Sequence, residues 1–300
     1  MDLPEGLTSR PLQLSDARAV YEVMAAQELH DIGEVAIEEA DIVGDWQRPS
    51  HDVPASTIGV FDEDRLVAYA EVAAAWHGDA AVHPDYRGRG LGTALAHWTQ
   101  ELARERGGTV FGMPVPVGSD GDRLLESMGY FVRWHSWVLQ LPEGKEVEAQ
   151  PLPIGYAIRS AVTEEDQLAA FEVIEDAFLE WSERERQTFE DFAARAMLRP
   201  GFQPWNLRIA VGPAGLVVGA CHVQLADGCG YVSQIAVRKD RRGLGLARSL
   251  LADAFGLARD HGATRSELAT DSRTGALGLY EKVGMVVTSS WVHRAVDLAR

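Results

Sequence analysis

Residues His83–Leu95, HPDYRGRGLGTAL, crowd two arginines and three glycines onto the start of an apolar-periodic segment. Each glycine weakens a helix by roughly 0.5–1 kcal/mol relative to alanine, so a stretch that keeps three of them must recover the loss elsewhere. The same pattern returns at Lys239–Leu250, KDRRGLGLARSL. A shift of 155 residues lays Arg87 on Arg242, Gly88 on Gly243, Gly90 on Gly245, Leu91 on Leu246 and Gly92 on Ala247. The register then runs on without a gap through Leu95/Leu250, Leu102/Leu257, Gly107/Gly262, Thr109/Thr264 and Gly129/Gly284. Thirteen of the 44 positions from Arg87 to Tyr130 are identical under this shift, and they fall at turn and core positions, so the chain reads as a duplication.

Working outward, Arg10 followed by a possible helix cap at Ser15 resembles Arg159 followed by Thr163, and each precedes an amphipathic segment, Asp16–Glu28 and Glu165–Glu180. The stretch Leu141–Gly155, LPEGKEVEAQPLPIG, is polar and rich in proline and glycine, which predicts domains over 1–141 and 154–300 joined by a linker at 142–153. Each half gives the same coarse reading. A helical region comes first (Asp16–Ile42, Glu165–Leu198), then two hairpin-like strands (Thr57–Val60 with Leu66–Ala74, Arg208–Val211 with Val217–Gln224), then a strand ending at Val82 or Val237. Beyond the glycine turn a helix places Leu91, Leu95, Trp98 and Leu102 on one face, as Leu246, Leu250 and Leu257 are placed in the repeat. Gly107 and Gly262 stand where a left-handed helix cap belongs. A strand, a short helix and a final pair of strands complete each half. This alternation predicts an α/β architecture of the α+β kind, two tandem domains each with a mixed sheet flanked by helices.

Composition narrows the function. The apolar fraction of 46% supports a globular core, and no run of about 18 apolar residues suggests a membrane span. The first residues, MDLPEGLTSRPL, lack the basic flank and apolar core of a secretory leader, which predicts a cytoplasmic protein. Cys221 and Cys229 are too few to staple the chain and read as thiols, with a hairpin disulfide as the alternative. The histidines show no metal-ligand spacing, so no metal is expected. A formal charge of −17 disfavours nucleic acid, which needs a basic face, and suits either solubility or a cationic acceptor.

A glycine turn between a strand and a helix exposes backbone N–H groups, because the first amides of a helix lack partners within it. The helix dipole adds partial positive charge there, so an anion is the natural occupant. Neither copy has the lysine of a Walker A loop, nor the GxGxxG spacing of a dinucleotide fingerprint. Both fit [QR]xxGx[GA], as Arg87–Gly92 and Arg242–Ala247. Preceded by a strand ending in valine, this pattern resembles the acyl-coenzyme A pyrophosphate loop of the GNAT acyltransferase superfamily. The first copy, VHPDYRGRGLG, is close to that family's common form; the second, VRKDRRGLGLA, has Lys239 where proline is frequent.

The resemblance covers both halves except the linker, and it implies a splayed mixed sheet that admits a pantetheine arm. The tandem arrangement resembles that of mycothiol synthases. Carried onto this sequence, the resemblance implies acyl-coenzyme A contacts from Ile235, Ala236, Val237, Arg242, Gly243, Leu244, Gly245, Leu246, Ala247, Asp271 and Thr274 in the second half. In the first half it implies contacts from Val82, Arg87, Gly88, Arg89, Gly90, Leu91 and Gly92. The segment LYEKVG, Leu279–Gly284, is similar to the family's LYxxxGF ending and marks Tyr280 as the group that assists the departing thiolate. In register, the first half has Leu125 at that place and Pro116 opposite Asp271, so this copy lacks a leaving-group acid. Turnover is therefore expected in the second half alone. A general base is less evident: Glu175, Asp176, Asp227 or a water chain could serve. Trp181 and Trp205 could line an acceptor pocket or pack in the core.

The expected activity is transfer of acetyl from acetyl-coenzyme A to the primary amine of a small molecule, by a monomer or homodimer with no nucleic-acid or membrane partner. The alternative is a non-catalytic acyl-coenzyme A binding or sensing protein.

Overall fold

The computed structural model describes residues 1 and 3–299. The first half runs β1 (Leu7–Arg10), α1 (Ala17–Asp31), α2 (Glu39–Trp46), α3 (Val53–Ser56), β2 (Thr57–Asp62), β3 (Arg65–Ala74), β4 (His77–Val82), α4 (Leu91–Glu105), β5 (Val110–Pro116), α5 (Asp120–Ser127) and β6 (Phe131–Gln140). The second half runs β7 (Ala157–Ser160), α6 (Glu164–Leu179), α7 (Phe189–Ala196), β8 (Leu207–Val211), β9 (Val217–Ala226), β10 (Cys229–Val237), α8 (Leu246–Asp260), β11 (Arg265–Asp271), α9 (Leu277–Lys282) and β12 (Val286–Asp297).

The chain forms two compact units, Met1–Ser136 with Ser289–Arg300, and Trp137–Thr288. These differ from the halves of the sequence because strand ladders, which link distant residues, decide membership. Trp291–Asp297 of β12 pair antiparallel with β5 and complete the first unit. The chain leaving β6 bonds instead to β11, Leu141 N–H donating to the Ser266 carbonyl at 3.0 Å. The polar stretch 142–153 also belongs wholly to the second unit, where Val147 is buried in the core and Glu146 and Glu148 pair with Arg259 and Arg248 of α8.

Within the first unit β1, β2, β3 and β4 form an antiparallel run. β4 then meets β5 in parallel, at His77 opposite Gly112. In the second unit β7, β8, β9 and β10 repeat the run, and β10 meets β11 in parallel over Cys229–Val232. Past those points, Gly78–Val82 and Ser233–Val237 diverge from the parallel neighbour, and the gap is where a ligand can enter. Helices cover both faces of each sheet. In the second unit α8 packs Leu246, Leu250, Ala254 and Phe255 on one face, while α6 and α7 bury Phe171, Ile174 and Phe192 on the other. In the first unit Leu91 and Leu95 of α4 oppose Val20 of α1 and Trp46 of α2.

Local signals explain most boundaries. Thr163 caps α6, its Oγ1 accepting from Asp166 N–H at 3.1 Å, and Asp166 pairs with Arg159. In the first half the turn opens at Gln13 rather than at Ser15. Asp16 accepts from Gln13 N–H at 2.8 Å and from both Arg10 guanidinium nitrogens, so Ser15 lies inside a short 3-10 turn. The helical region Asp16–Ile42 divides at Gly33, whose φ of 83° ends α1. Gly107 and Gly262 take the left-handed conformation after α4 and α8 as their spacing implied. The expected final pair of strands is a single long strand in each half, β6 and β12, because no turn residue interrupts Phe131–Gln140 or Val286–Asp297.

Candidate acyl-coenzyme A clefts

Both glycine turns form the mouths of clefts. Gly88, Gly90, Gly243 and Gly245 all lie at φ between 74° and 84°, a region in which other residues are strained by roughly 1–2 kcal/mol. That conformation turns the chain from β4 into α4 and from β10 into α8, with Gly90 and Gly245 as the N-caps. The first bond of the α8 ladder is Ser249 N–H to Gly245 O, so the amides of Leu246, Ala247 and Arg248 precede it at the helix end that suits an anion.

The arginine that opens each loop has a fixed task. Arg242 pairs bidentately with Glu180 at the end of α6 (2.9 and 2.6 Å), and its Nε donates to the Val237 carbonyl at 3.1 Å. Arg87 does the same with Asp31 at the end of α1, at 2.7 and 2.8 Å, and adds Asp120 at 3.0 Å. Both therefore tie the loop to the first helix of their half.

The two clefts differ in size and charge. The second is about 1010 Å³, and its lining has Arg241, Arg242, Arg248 and Lys282 against Glu180 and Asp271. The first is about 450 Å³, lined by Arg87 against Asp31 and Asp120. A polyanion is thus favoured in the second and opposed in the first. Two further side chains obstruct the first cleft. Gln27 Oε1 accepts from the Val82 N–H at 3.0 Å, and Leu124 lies so near Gly92 that a Cβ there would stand 2.7 Å from it.

In the second cleft the sequence-implied residues Ile235, Ala236, Val237, Arg242, Gly243, Gly245, Leu246, Ala247, Asp271, Thr274 and Tyr280 come together. Leu244 is exposed and lies outside the lining. In the first, Val82, Arg87, Gly88, Gly90, Leu91 and Gly92 line the cleft, while Arg89 is exposed and does not. Tyr280 is buried and held at the cleft wall by α9; burial pushes its phenol up to about 12. Leu125 takes the corresponding wall position in the first cleft.

Two of the carboxylates considered as bases have other partners, and the third lies at an exposed turn. Glu175 is fully buried, bidentate to Arg184 at 2.7 Å, and accepts from Gln187 N–H at 2.9 Å. Burial alone would raise its pKa, but these donors outweigh it and hold it below the usual carboxylate range. Asp176 is paired with Arg186, and Asp227 sits exposed at the β9–β10 turn with φ 44°. None of the three lines the cleft. Trp181 does, beneath the Arg273 guanidinium at 4.8 Å, whereas Trp205 stacks on His261 away from it. Cys221 and Cys229 are both buried and are not joined in a disulfide.

Three features were not legible in the sequence. Phe178 joins Trp181 on the wall from α6. Gln150 lies over the loop, its Oε1 2.2 Å from where a Cβ on Gly245 would stand. Ser233 lines the cleft with its Oγ 2.7 Å from the buried His222 Nδ1.

Comparison with known proteins agrees with this geometry. The sequence matches the acetyltransferase (GNAT) family over residues 19–123 and 168–285. It is 31% identical over 227 residues to a mycothiol acetyltransferase of Salinispora arenicola, covering 72% of this chain and 71% of the relative. To a mycothiol acetyltransferase of Sanguibacter keddieii it is 29% identical over 297 residues, covering 91% of each. Among solved structures it resembles a GCN5-related N-acetyltransferase from Sphaerobacter thermophilus, with a TM-score of 0.75, 28% identity, and coverage of 99% and 97%. A tandem GNAT protein from the clavulanic acid biosynthesis pathway shares the fold, with a TM-score of 0.72 at 18% identity, covering 97% of this chain and 98% of that one. Among the described residues no helix is long and apolar enough to cross a membrane.

Proposed function

The chain belongs to the acetyltransferase (GNAT) family, and we propose that its second cleft transfers acetyl from acetyl-coenzyme A to the primary amine of a mycothiol-related small molecule. It is an N-acetyltransferase that draws on an acyl-coenzyme A and acts on a small-molecule acceptor; the acetyl donor and the acceptor's identity are the proposed part. The relatives' names support the acceptor class. The observation that carries the site is the convergence, in one cleft, of a left-handed glycine loop, four cationic side chains and Tyr280.

In this reading the diphosphate sits on the amides that open α8, each bond to a charged acceptor contributing about 1.5–3 kcal/mol. The pantetheine arm follows Ser233–Val237 where β10 leaves β11, in the manner of an added strand. The amine nitrogen attacks the acetyl carbon, a C–N bond forms and the C–S bond breaks. Nitrogen gives up one proton and sulfur gains one, leaving an amide and a free thiol. With its phenol near 12 and a thiol near 8.5, full proton donation from Tyr280 would be uphill by about 5 kcal/mol. Tyr280 therefore serves by a hydrogen bond that strengthens as charge gathers on sulfur. The first cleft, with two carboxylates at its mouth and Leu125 at the wall, is assigned no turnover.

The test is thiol release from acetyl-coenzyme A across a panel of small primary amines that includes sugar amines, polyamines and amino acids. Amine-dependent release supports the reading. Tight carrier binding with no release to any amine would instead identify a sensing protein.

A further inference from the structure

The second unit contains a contact between the half-buried Ser233 and the buried His222 at the wall of the cleft. The antiparallel register of β10 with β9 shifts between Val232 and Gln234, which makes Ser233 the extra residue of a bulge. The parallel ladder with β11 ends at Val232 opposite Leu268, so Ser233 is the first residue past the divergence. It lines the cleft together with Phe178, Trp181 and Tyr280. Its Oγ lies 2.7 Å from His222 Nδ1 and 3.3 Å from the His222 carbonyl oxygen.

Those two contacts fix what the hydroxyl can offer. If the imidazole carries its proton on Nε2, Ser233 donates to Nδ1; if on Nδ1, Ser233 accepts from the ring and donates to the carbonyl. In either tautomer the hydroxyl proton is engaged inside the protein, and a lone pair remains for the cleft. The ring itself stays neutral: burial, together with the Arg199 and Arg195 charges, pushes His222 down to about 3. It therefore adds no positive charge against an amine, and it is no sink for a proton.

Resting on the acetyl-transfer reading above, we propose that Ser233 Oγ is a catalytic residue that accepts an N–H of the incoming amine and turns its lone pair toward the thioester, with His222 as the positioning residue that holds the hydroxyl. The group that orients the nucleophile is thus a neutral hydroxyl at the strand bulge, while Glu175 remains committed to Arg184.

The experiment is steady-state kinetics with both substrates varied, on the full chain. Ser233→Ala should lower kcat/KM for the amine by about tenfold to a hundredfold, the size of one lost hydrogen bond to a reacting group. The KM for acetyl-coenzyme A should change less than twofold. Ser233→Thr, which keeps a hydroxyl, should recover to within a few-fold of wild type. His222→Phe should reproduce the amine defect and add little to Ser233→Ala in the double variant. Unchanged amine kinetics in Ser233→Ala, with a wild type that turns over, would overturn this proposal alone. A wild type that releases no thiol with any amine would overturn it together with the reading on which it rests.

Discussion

Leu125 and Tyr280 stand 155 residues apart at the same place in the duplication, each buried in the short helix that walls its own cleft. A leucine can neither donate nor accept a hydrogen bond, so the pair marks where the two copies part chemically. Replacing Tyr280 with phenylalanine should lower kcat by about tenfold to a thousandfold with little change in the KM for acetyl-coenzyme A, the signature of a contact made in the transition state. Because burial raises the phenol to about 12, it stays protonated through the working range. No alkaline fall in activity below about pH 11 should trace to it, and the variant should keep the wild-type profile shape there.

The loops give a second asymmetry. At Gly245 any side chain meets both a left-handed φ of 79° and the Gln150 amide, so Gly245→Val should abolish acyl-coenzyme A binding. Gly90→Val faces the same backbone strain but in the first cleft, and turnover per folded molecule should stay within about twofold of wild type. Thermal protection by the carrier and thiol release, measured on both variants, check this.

Gln150 occupies space over Gly245 and is anchored by its carbonyl, which accepts from Ser249 Oγ at 2.9 Å. A carrier diphosphate on the loop must displace that side chain. Gln150→Ala should therefore tighten acyl-coenzyme A binding several-fold in calorimetry. Weaker binding would mean that the Gln150 amide donates to the phosphates instead.

Glu175 is a structural carboxylate, buried under Arg184 and Gln187. Glu175→Gln removes the charge that Arg184 and Gln187 are arranged around and should cost about 1–3 kcal/mol of stability in denaturant melts, with turnover per folded molecule nearly unchanged. Its pKa is depressed in the fold from an ordinary value of 4.5, so the contribution is full above pH 4.5 and is lost as the pH falls through the folded value. The wild type should lose stability on acidification in that window, and the variant should lose less.

What could be read from the sequence was what short-range chemistry dictates. The paired loops, the left-handed glycines, the Thr163 cap and the buried face of α8 all follow from residues within one or two turns of each other. Trp181 was legible as a candidate pocket aromatic, although core packing was the favoured reading; it lines the cleft. What escaped depends on contacts far along the chain. The pairing of Trp291–Asp297 with β5 joins residues about 180 apart. The polar stretch 142–153 looked like a spacer, yet Val147 is buried and Gln150 lies over the loop. Ser233 and His222 carry no local signature; only the bulge in β10 brings them together. Ser15 does not cap because the turn opens at Gln13, whose N–H donates to the Asp16 carboxylate that Arg10 holds in place.

The central claim is that the second glycine loop, and not the first, holds the diphosphate of an acyl-coenzyme A. Calorimetric titration of the full chain with acetyl-coenzyme A tests it most directly, run on wild type, Gly245→Val and Gly90→Val. One site per chain, lost in the Gly245 variant and kept in the Gly90 variant, is the result expected. No binding by the wild type, or a site that disappears with Gly90 and survives at Gly245, would contradict it.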